Sequence, residues 1–394
     1  MNLVRRDLLR FTAAMAAATF VPFRGTAAAA EEDGLDGIVS LNDLEPRARE
    51  RVSHLAYEYI AGGAADEITL RWNREAYDHI RLRPRVLVDV SRIDTGVRVV
   101  GQDLAFPILL APTAYHRLIH PEGERATARG AGAAGATLVV SSFATTAVED
   151  VAAAATQPLW FQLYVQRDRG FTRDLVARAE AAGCRALCVT VDTPVLGPRD
   201  REAKAHFALP PGMERPNLAG SKAVGGAGDV RAHRPAEGEI YSTVLDPTLT
   251  WKEIEWLLSV ARVPVLLKGI LNPEDADRAA RAGVAGIIVS NHGARNLDTA
   301  PATIDALPRV VDAVAGRAAV LVDGGIRRGT DVVKALALGA SSVLIGRPYL
   351  YGLGLGGAAG VAKAVRILRT ELEMAMALLG RPTIRDIDRG VLWT

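Results

Sequence analysis

Eight short apolar runs rich in β-branched residues recur along this 394-residue chain, each followed by a turn and an alanine-rich stretch of helical period. A strand–helix repeat of this kind obliges the strands to lie parallel, because each helix is the crossover that returns the chain to the same end of the sheet. The runs cover residues 108–111, 137–141, 159–163, 186–191, 265–268, 286–290, 320–323 and 342–345. Their starts are separated by 29, 22, 27, 79, 21, 34 and 22 residues, and every spacing except 79 suits one strand plus one helix. Eight such units predict a closed α/β structure, the (β/α)8 or TIM barrel, folded as a single domain. The segment 44–81 has a helical pattern ahead of the first run and is predicted to cap one end of the barrel. The outlying spacing marks an insertion after the fourth strand, roughly 199–247, containing Pro210-Pro211, Gly225-Gly226 and Gly228 with little helical period. A loop of this length at the carboxyl end of a barrel strand is read as a mobile lid.

The first thirty residues stand apart, with Arg5-Arg6 ahead of an uncharged alanine-rich run to Phe23 and a small-residue end at 27–30. This pattern predicts a twin-arginine-type export signal over 1–30, leaving 31–394 as the folded domain, in the periplasm or outside the cell, or in the cytoplasm if the signal is not used. The run 11–23 falls short of the ~20 apolar residues a membrane span requires, so no stable insertion of the mature chain is expected. Removing 1–30 takes away four arginines and one aspartate and moves the net charge from +2 to about −1, which gives no electrostatic case for nucleic acid. Cys184 and Cys188 are the two cysteines, in or beside the run 186–191. Their spacing lacks partners for zinc and is too extended to bridge easily, so they read as buried free thiols.

Chemistry in such barrels gathers at the C-terminal ends of the strands. There the chain places Gln162-Leu163-Tyr164, Thr190-Val191-Asp192, Lys268-Gly269, Ser290-Asn291-His292-Gly293-Ala294-Arg295 and Asp323-Gly324-Gly325-Ile326-Arg327. Gly324-Gly325 with Arg327, and Gly346-Arg347 after the eighth strand, offer close backbone approach and guanidinium groups where barrels bind phosphate. Glycines also simply permit tight turns, but two Gly–Arg turns on successive strands favour a phosphate-bearing cofactor. A buried ammonium such as Lys268 costs on the order of several kcal/mol without an anion, so it is expected to face a ligand that becomes negative. His292 shares its turn with Arg295, and Asp192 can hold the imidazole in one tautomer, as a general base requires. With no second His or carboxylate at ligand spacing, no metal is expected at His292.

These turns together resemble the FMN-dependent α-hydroxy acid dehydrogenase family, which includes glycolate oxidase, lactate oxidase, mandelate dehydrogenase and hydroxymandelate oxidase-like proteins. The likeness runs from about Leu44 to the C-terminus, through Tyr57-Glu58-Tyr59-Ile60-Ala61-Gly62-Gly63-Ala64, Ala111-Pro112-Thr113-Ala114, His120-Pro121-Glu122-Gly123-Glu124, Thr190-Val191-Asp192-Thr193-Pro194, Leu267-Lys268-Gly269 and Ile345-Gly346-Arg347-Pro348. The resemblance implies FMN as cofactor, oxidation of an (S)-2-hydroxy acid to the 2-oxo acid, O2 as acceptor giving H2O2, and a homo-oligomer. It implies that Pro112, Thr113 and Ala114 line the flavin, that Ser141, Gln162, Thr190 and Ser290 belong to its binding set, and that Lys268 stabilises its reduced form. Asp323, Gly325, Arg327, Gly346 and Arg347 would hold the ribityl phosphate. Tyr59 and Arg295 would bind the substrate carboxylate, Tyr164 would reach its hydroxyl, Arg199 would be a further active-site arginine that binds substrate, and His292 would take the proton from the α-carbon or the hydroxyl.

Departures from the glycolate oxidase pattern fall in the pocket wall. Ser141-Ser142-Phe143 stands where Trp follows the paired serines, Ile60 replaces the second tyrosine of a pair, and Ala114-Tyr115-His116-Arg117-Leu118 is similar to hydroxymandelate oxidases. Glycolate-, lactate- and mandelate-type acids all stay open. The rival readings are a dehydrogenase passing electrons to a quinone or cytochrome, a non-catalytic flavin-binding barrel, and another phosphate-handling barrel such as an isomerase. A degenerate binder would be expected to have lost His292, Arg295 or Tyr59, and all three are present. The insertion is polar and glycine-rich instead of apolar, which favours the oxidase.

Overall fold

The computed structural model describes residues 34–221, 240–242 and 244–393. The segment 1–30, read above as an export signal, and the middle of the insertion, 222–239, lie outside the described residues.

Eight parallel strands close into a barrel in the order β10-β3-β4-β5-β6-β7-β8-β9. They are β3 (Ile108–Leu110), β4 (Leu138–Ser141), β5 (Leu159–Leu163), β6 (Leu187–Thr190), β7 (Val265–Ile270), β8 (Gly286–Val289), β9 (Ala319–Asp323) and β10 (Ser342–Ile345). Each lies within two residues of its sequence-predicted bounds. Side chains alternate along every strand. Leu138, Val140, Leu187, Val189, Ile287 and Val289 therefore face outward into the helix–sheet core, while Leu109, Val139, Trp160, Cys188, Leu266, Ile288, Leu321 and Leu344 fill the axis in one apolar layer. Cys184 belongs to the outer core and Cys188 to the axis, and both are buried free thiols. Burial pushes each thiol pKa up to about 12.

The barrel ends are closed differently. Three cap helices, α1 (Leu44–Arg51), α2 (His54–Ala61) and α3 (Ile68–Asp78), precede the first barrel strand as expected. The other end carries a hairpin absent from the sequence reading, β1 (Val97–Val99) paired antiparallel with β2 (Gln102–Leu104). Val99 packs onto the axial apolar layer, and Trp160 Nε1 donates to Gln102 Oε1 at 3.0 Å. Strands of three residues carry too little alternation to be seen as a pattern, which is why this plug escaped detection.

Around the barrel run α4 (Gly123–Ala134), α5 (Val148–Ala154), α6 (Arg169–Ala181), α7 (Asp200–Lys204), α8 (Trp251–Val260), α9 (Pro273–Arg281), α10 (Thr303–Val314), α11 (Gly329–Ala337) and α12 (Arg347–Leu378). α12 is broken at Gly356 and Gly357, whose backbone is non-helical. The break folds its first part back so that Gly352 and Gly360 meet backbone to backbone. A Cβ on Gly360 would lie 1.9 Å from the Gly352 carbonyl oxygen, and one on Gly352 2.5 Å from that of Gly360. Neither oxygen belongs to a flexible side chain, so nothing can swing aside. Gly360→Ala is accordingly expected to cost about 1–3 kcal/mol, as overpacking does. The measurement is guanidinium unfolding followed by circular dichroism; an unmoved midpoint would contradict this packing.

Candidate active site

One step further along the strands, the alternation that builds the apolar axis brings Ser141, Gln162, Thr190, Lys268, Ser290 and Asp323 to the same inward face. This second layer is polar and hydrogen-bonded in two groups, Ser141–Gln162–Thr190 and Ser290–Lys268–Asp323. Ser141 Oγ donates to Gln162 Oε1 at 3.0 Å, and Gln162 Nε2 donates to Thr190 Oγ1 at 2.9 Å. Lys268 Nζ donates to Ser290 Oγ at 2.8 Å and lies 3.0 Å from Asp323 Oδ2. Burial opposes the charge on Lys268, but Asp323 and Asp192 outweigh it and hold the ammonium pKa above its usual range. The anion that Lys268 needs is thus built into the protein, where the sequence had suggested only a ligand.

His292 leaves β8 on a turn in which three successive residues, His292, Gly293 and Ala294, have φ of 59°, 63° and 62°. Left-handed backbone at two non-glycine residues is strained and persists only when its surroundings hold it. Asn291 Oδ1 accepts the amide of Ala294 at 3.1 Å. Asn291 is in turn locked to Asn73 of α3 by a reciprocal amide pair at 2.9 and 2.8 Å. The turn aims the imidazole at Asp192: Nδ1 lies 2.8 Å from Asp192 Oδ1, and Nε2 lies 3.4 Å from the Tyr164 hydroxyl. A carboxylate at Nδ1 fixes the proton there and leaves the Nε2 lone pair toward the cavity. Burial pulls the His292 pKa below its ordinary value, an effect that Asp192 opposes without cancelling. Burial would raise the Asp192 pKa, yet His292, Lys268 and Thr193 prevail and lower it, so the carboxylate stays charged.

The described first half of the insertion is a packed wall. Phe207, Leu209 and Leu218 are buried, and Asn217 Oδ1 accepts the Val148 amide at 2.8 Å. Their irregular spacing hid this from any periodicity. The wall delivers Glu202, a residue the sequence reading passed over inside a charged run. Glu202 Oε1 accepts from Arg295 Nη2 at 2.7 Å, and Oε2 lies 3.7 Å from Arg199 Nη1. The shorter contact makes Glu202 chiefly the partner of Arg295. Burial works against the charge of Arg295, but Glu202 holds its pKa above the usual range, while burial and Arg295 itself lower that of Arg199. Arg295 also lies over the Tyr59 ring, 4.8 Å from its centroid. Tyr59 in turn stacks on Phe207 with ring centroids 4.8 Å apart.

These groups surround a cavity of about 630 Å³ at the C-terminal mouth. Of the sequence-predicted residues, Tyr59, Pro112, Thr113, Ala114, Ser141, Gln162, Tyr164, Thr190, Arg199, Lys268, His292, Arg295, Asp323, Gly325, Arg327, Gly346 and Arg347 line it. Asp192 and Ser290 stand behind that surface, supporting His292 and Lys268. The cavity fits a flat cofactor with a phosphate tail. Arg327 and Arg347 flank one end, and nothing lies closer than 3.9 Å to where a Cβ on Gly346 would be, so a side chain there would enter the cavity. Asp323 Oδ1 is buried without a hydrogen-bond partner, leaving an acceptor for a ligand hydroxyl. Arg347 already donates to the carbonyls of Ile60 and Gly62 at 2.8 Å each, so only its remaining donors can serve a phosphate.

The family model for FMN-dependent dehydrogenases matches residues 48–394. An L-lactate oxidase of Nostoc sp. (strain PCC 7120) is 48% identical over 361 residues, covering 90% of this chain and 98% of its own length. Glycolate oxidase 1 of Oryza sativa subsp. japonica is 46% identical over 357 residues, covering 91% and 96%. A crystal structure of mandelate oxidase with (S)-2-phenylpropionate shares 41% identity at a TM-score of 0.80, over 88% of this chain and 96% of that one. Matches that run through the cap, the barrel and every turn lining the cavity place the chain in the FMN-dependent dehydrogenase family, with FMN as its cofactor.

Proposed function

We propose that this protein oxidises an (S)-2-hydroxy acid to the 2-oxo acid and passes the electrons to O2, giving H2O2. The observation that carries the reading is the His292 Nε2 lone pair facing the cavity beside the Tyr164 hydroxyl, with Asp192 fixed behind it and two guanidinium groups, Arg199 and Arg295, on the same wall. Bound FMN supplies the two-electron acceptor. Arg295 and Arg199 grip the substrate carboxylate and so orient the α-carbon, a role suited to planar donor forks. His292 Nε2 accepts a proton from the α-carbon or hydroxyl, and Asp192 stabilises the imidazolium that results. Tyr164 hydrogen-bonds the substrate oxygen; burial raises its pKa, so it stays a neutral donor. Lys268, held cationic, offsets the negative charge the cofactor gains on reduction. Arg327, Arg347 and the backbone at Gly325 and Gly346 hold the phosphate. Asp323, which offers acceptors and no donors, is better placed to hold a ribityl hydroxyl than the phosphate itself.

The named oxidase relatives support O2 as the acceptor. We further assign residues 1–30 as an export signal and 31–394 as the catalytic domain, on the sequence pattern. Among the described residues no helix is long and apolar enough to cross a membrane. Val86, Leu87, Met374, Leu378 and Trp393 are large exposed apolar side chains, and they support self-association as a homo-oligomer.

Anaerobic mixing of the yellow protein with glycolate, L-lactate and (S)-mandelate tests the reaction: flavin bleaching is expected with at least one, and peroxide on admitting O2. His292→Ala is expected to retain FMN and to slow bleaching by about 10²- to 10⁴-fold, the usual contribution of a general base; undiminished reduction would remove His292 from the chemistry. Because burial lowers the His292 pKa, kcat/KM is expected to stay flat through neutrality and to fall only below about pH 6.5, the free-imidazole value. Asp192→Asn removes the charge that raises this pKa, so the acid limb should move to still lower pH while the plateau drops. A limb above pH 6.5 in the unmodified protein would contradict the assignment.

A further inference from the structure

Beyond the reacting groups, the cavity reaches a cation that the activity above does not use. Arg215, just before the turn Pro216–Leu218 in the insertion, is only 8% exposed and lines the cavity. Its Nη1 is buried with no hydrogen-bond partner, and among the described residues no carboxylate lies within ion-pair distance. The neighbouring guanidinium groups differ: Arg295 and Arg199 share Glu202, and Arg347 is held by two carbonyls. A desolvated charge left without a counter-charge destabilises the fold that holds it, so such a group calls for an anion from elsewhere.

Its position relative to the chemistry is defined by two rings. The Arg215 guanidinium carbon lies 5.8 Å from the centroid of the Phe143 ring, and Phe143 tilts against Tyr164 with centroids 4.7 Å apart. Tyr164 in turn reaches His292. Phe143 and Tyr164 therefore stand between Arg215 and the point where the substrate hydroxyl reacts. Tyr115, Phe143 and Phe207 line the same cavity and pack together as one apolar cluster, so it offers an apolar wall. A chain of methylenes suits that wall, and a charge suits its far end.

We infer that Arg215 determines specificity by receiving a carboxylate at the distal end of the substrate side chain, so that the preferred substrates are 2-hydroxy dicarboxylic acids. This rests on the 2-hydroxy acid reading and extends it. A guanidinium presents parallel donors that match a carboxylate in bidentate fashion. An apolar tail of the same length would leave the cation unpaired, and a site built around a polar contact rejects ligands that cannot make it.

The test is anaerobic flavin reduction by the FMN-loaded protein with L-lactate, (S)-2-hydroxyglutarate and (S)-2-hydroxyhexanoate. The dicarboxylate is expected to exceed the six-carbon acid with the uncharged tail in kcat/KM by about 10- to 100-fold, the range for a hydrogen bond to a charged group. Arg215→Met is expected to bring that ratio close to one. Because both substrates are compared on one preparation, partial loss of folded protein does not alter the ratio. Bleaching by L-lactate with no dicarboxylate preference overturns the inference alone, as does a preference that survives in Arg215→Met. No bleaching by any of the three overturns the inference, and if glycolate and (S)-mandelate also fail to bleach the flavin, the 2-hydroxy acid reading falls with it.

Discussion

A closed parallel barrel leaves each strand no choice about where its side chains go: every second one must point at the axis. The molecule uses that rule twice in succession. The lower inward layer is apolar and includes Trp160 and Leu266, so the axis is solid and the hairpin can seal it from below. The next layer, two residues on, runs through Ser141, Gln162, Thr190, Lys268, Ser290 and Asp323. A single-residue slip in any strand would send a polar group into the helix layer and an aliphatic one into the site. Core register and binding-site register are consequently the same quantity.

Charge is then introduced in matched pairs. Lys268 stands with Asp323, His292 with Asp192, and Arg295 with Glu202. Each pair is largely shielded from water, where one charge alone would neutralise or unfold its surroundings. The pairing settles protonation as well as geometry: Lys268 is kept cationic, Asp192 anionic and His292 neutral until it is used. Tyr164 joins them as a neutral donor because burial disfavours its phenolate.

The barrel and the polar strand ends of the site were legible in the chain because both obey local rules, whereas Tyr59, Arg199 and the turn Pro112–Ala114 were reached only through the family resemblance. Strand runs of β-branched residues announce themselves, and a lysine or aspartate at the end of one is conspicuous. What escaped notice depends on distant partners. Glu202 looks like any acid in a charged run until tertiary structure sets it against Arg295, ninety-three residues later in the chain. Asn73 belongs to an amphipathic cap helix, and no pattern links it to the turn at Asn291. Phe207 and Leu209 follow no period, so the packing of this segment left no pattern in the chain. The hairpin at Val97–Leu104 was too short to register as strand.

The amide pair between Asn73 and Asn291 joins positions 218 residues apart. During synthesis the cap emerges early, but its asparagine must wait for β8 before it can brace the strained turn that carries His292. A nascent chain with every cap helix formed would still lack an aimed imidazole, and the last phosphate-side arginine, Arg347, follows later still. The site is thus incomplete until the chain has passed Arg347, so products that stop short of it lack groups that the chemistry needs.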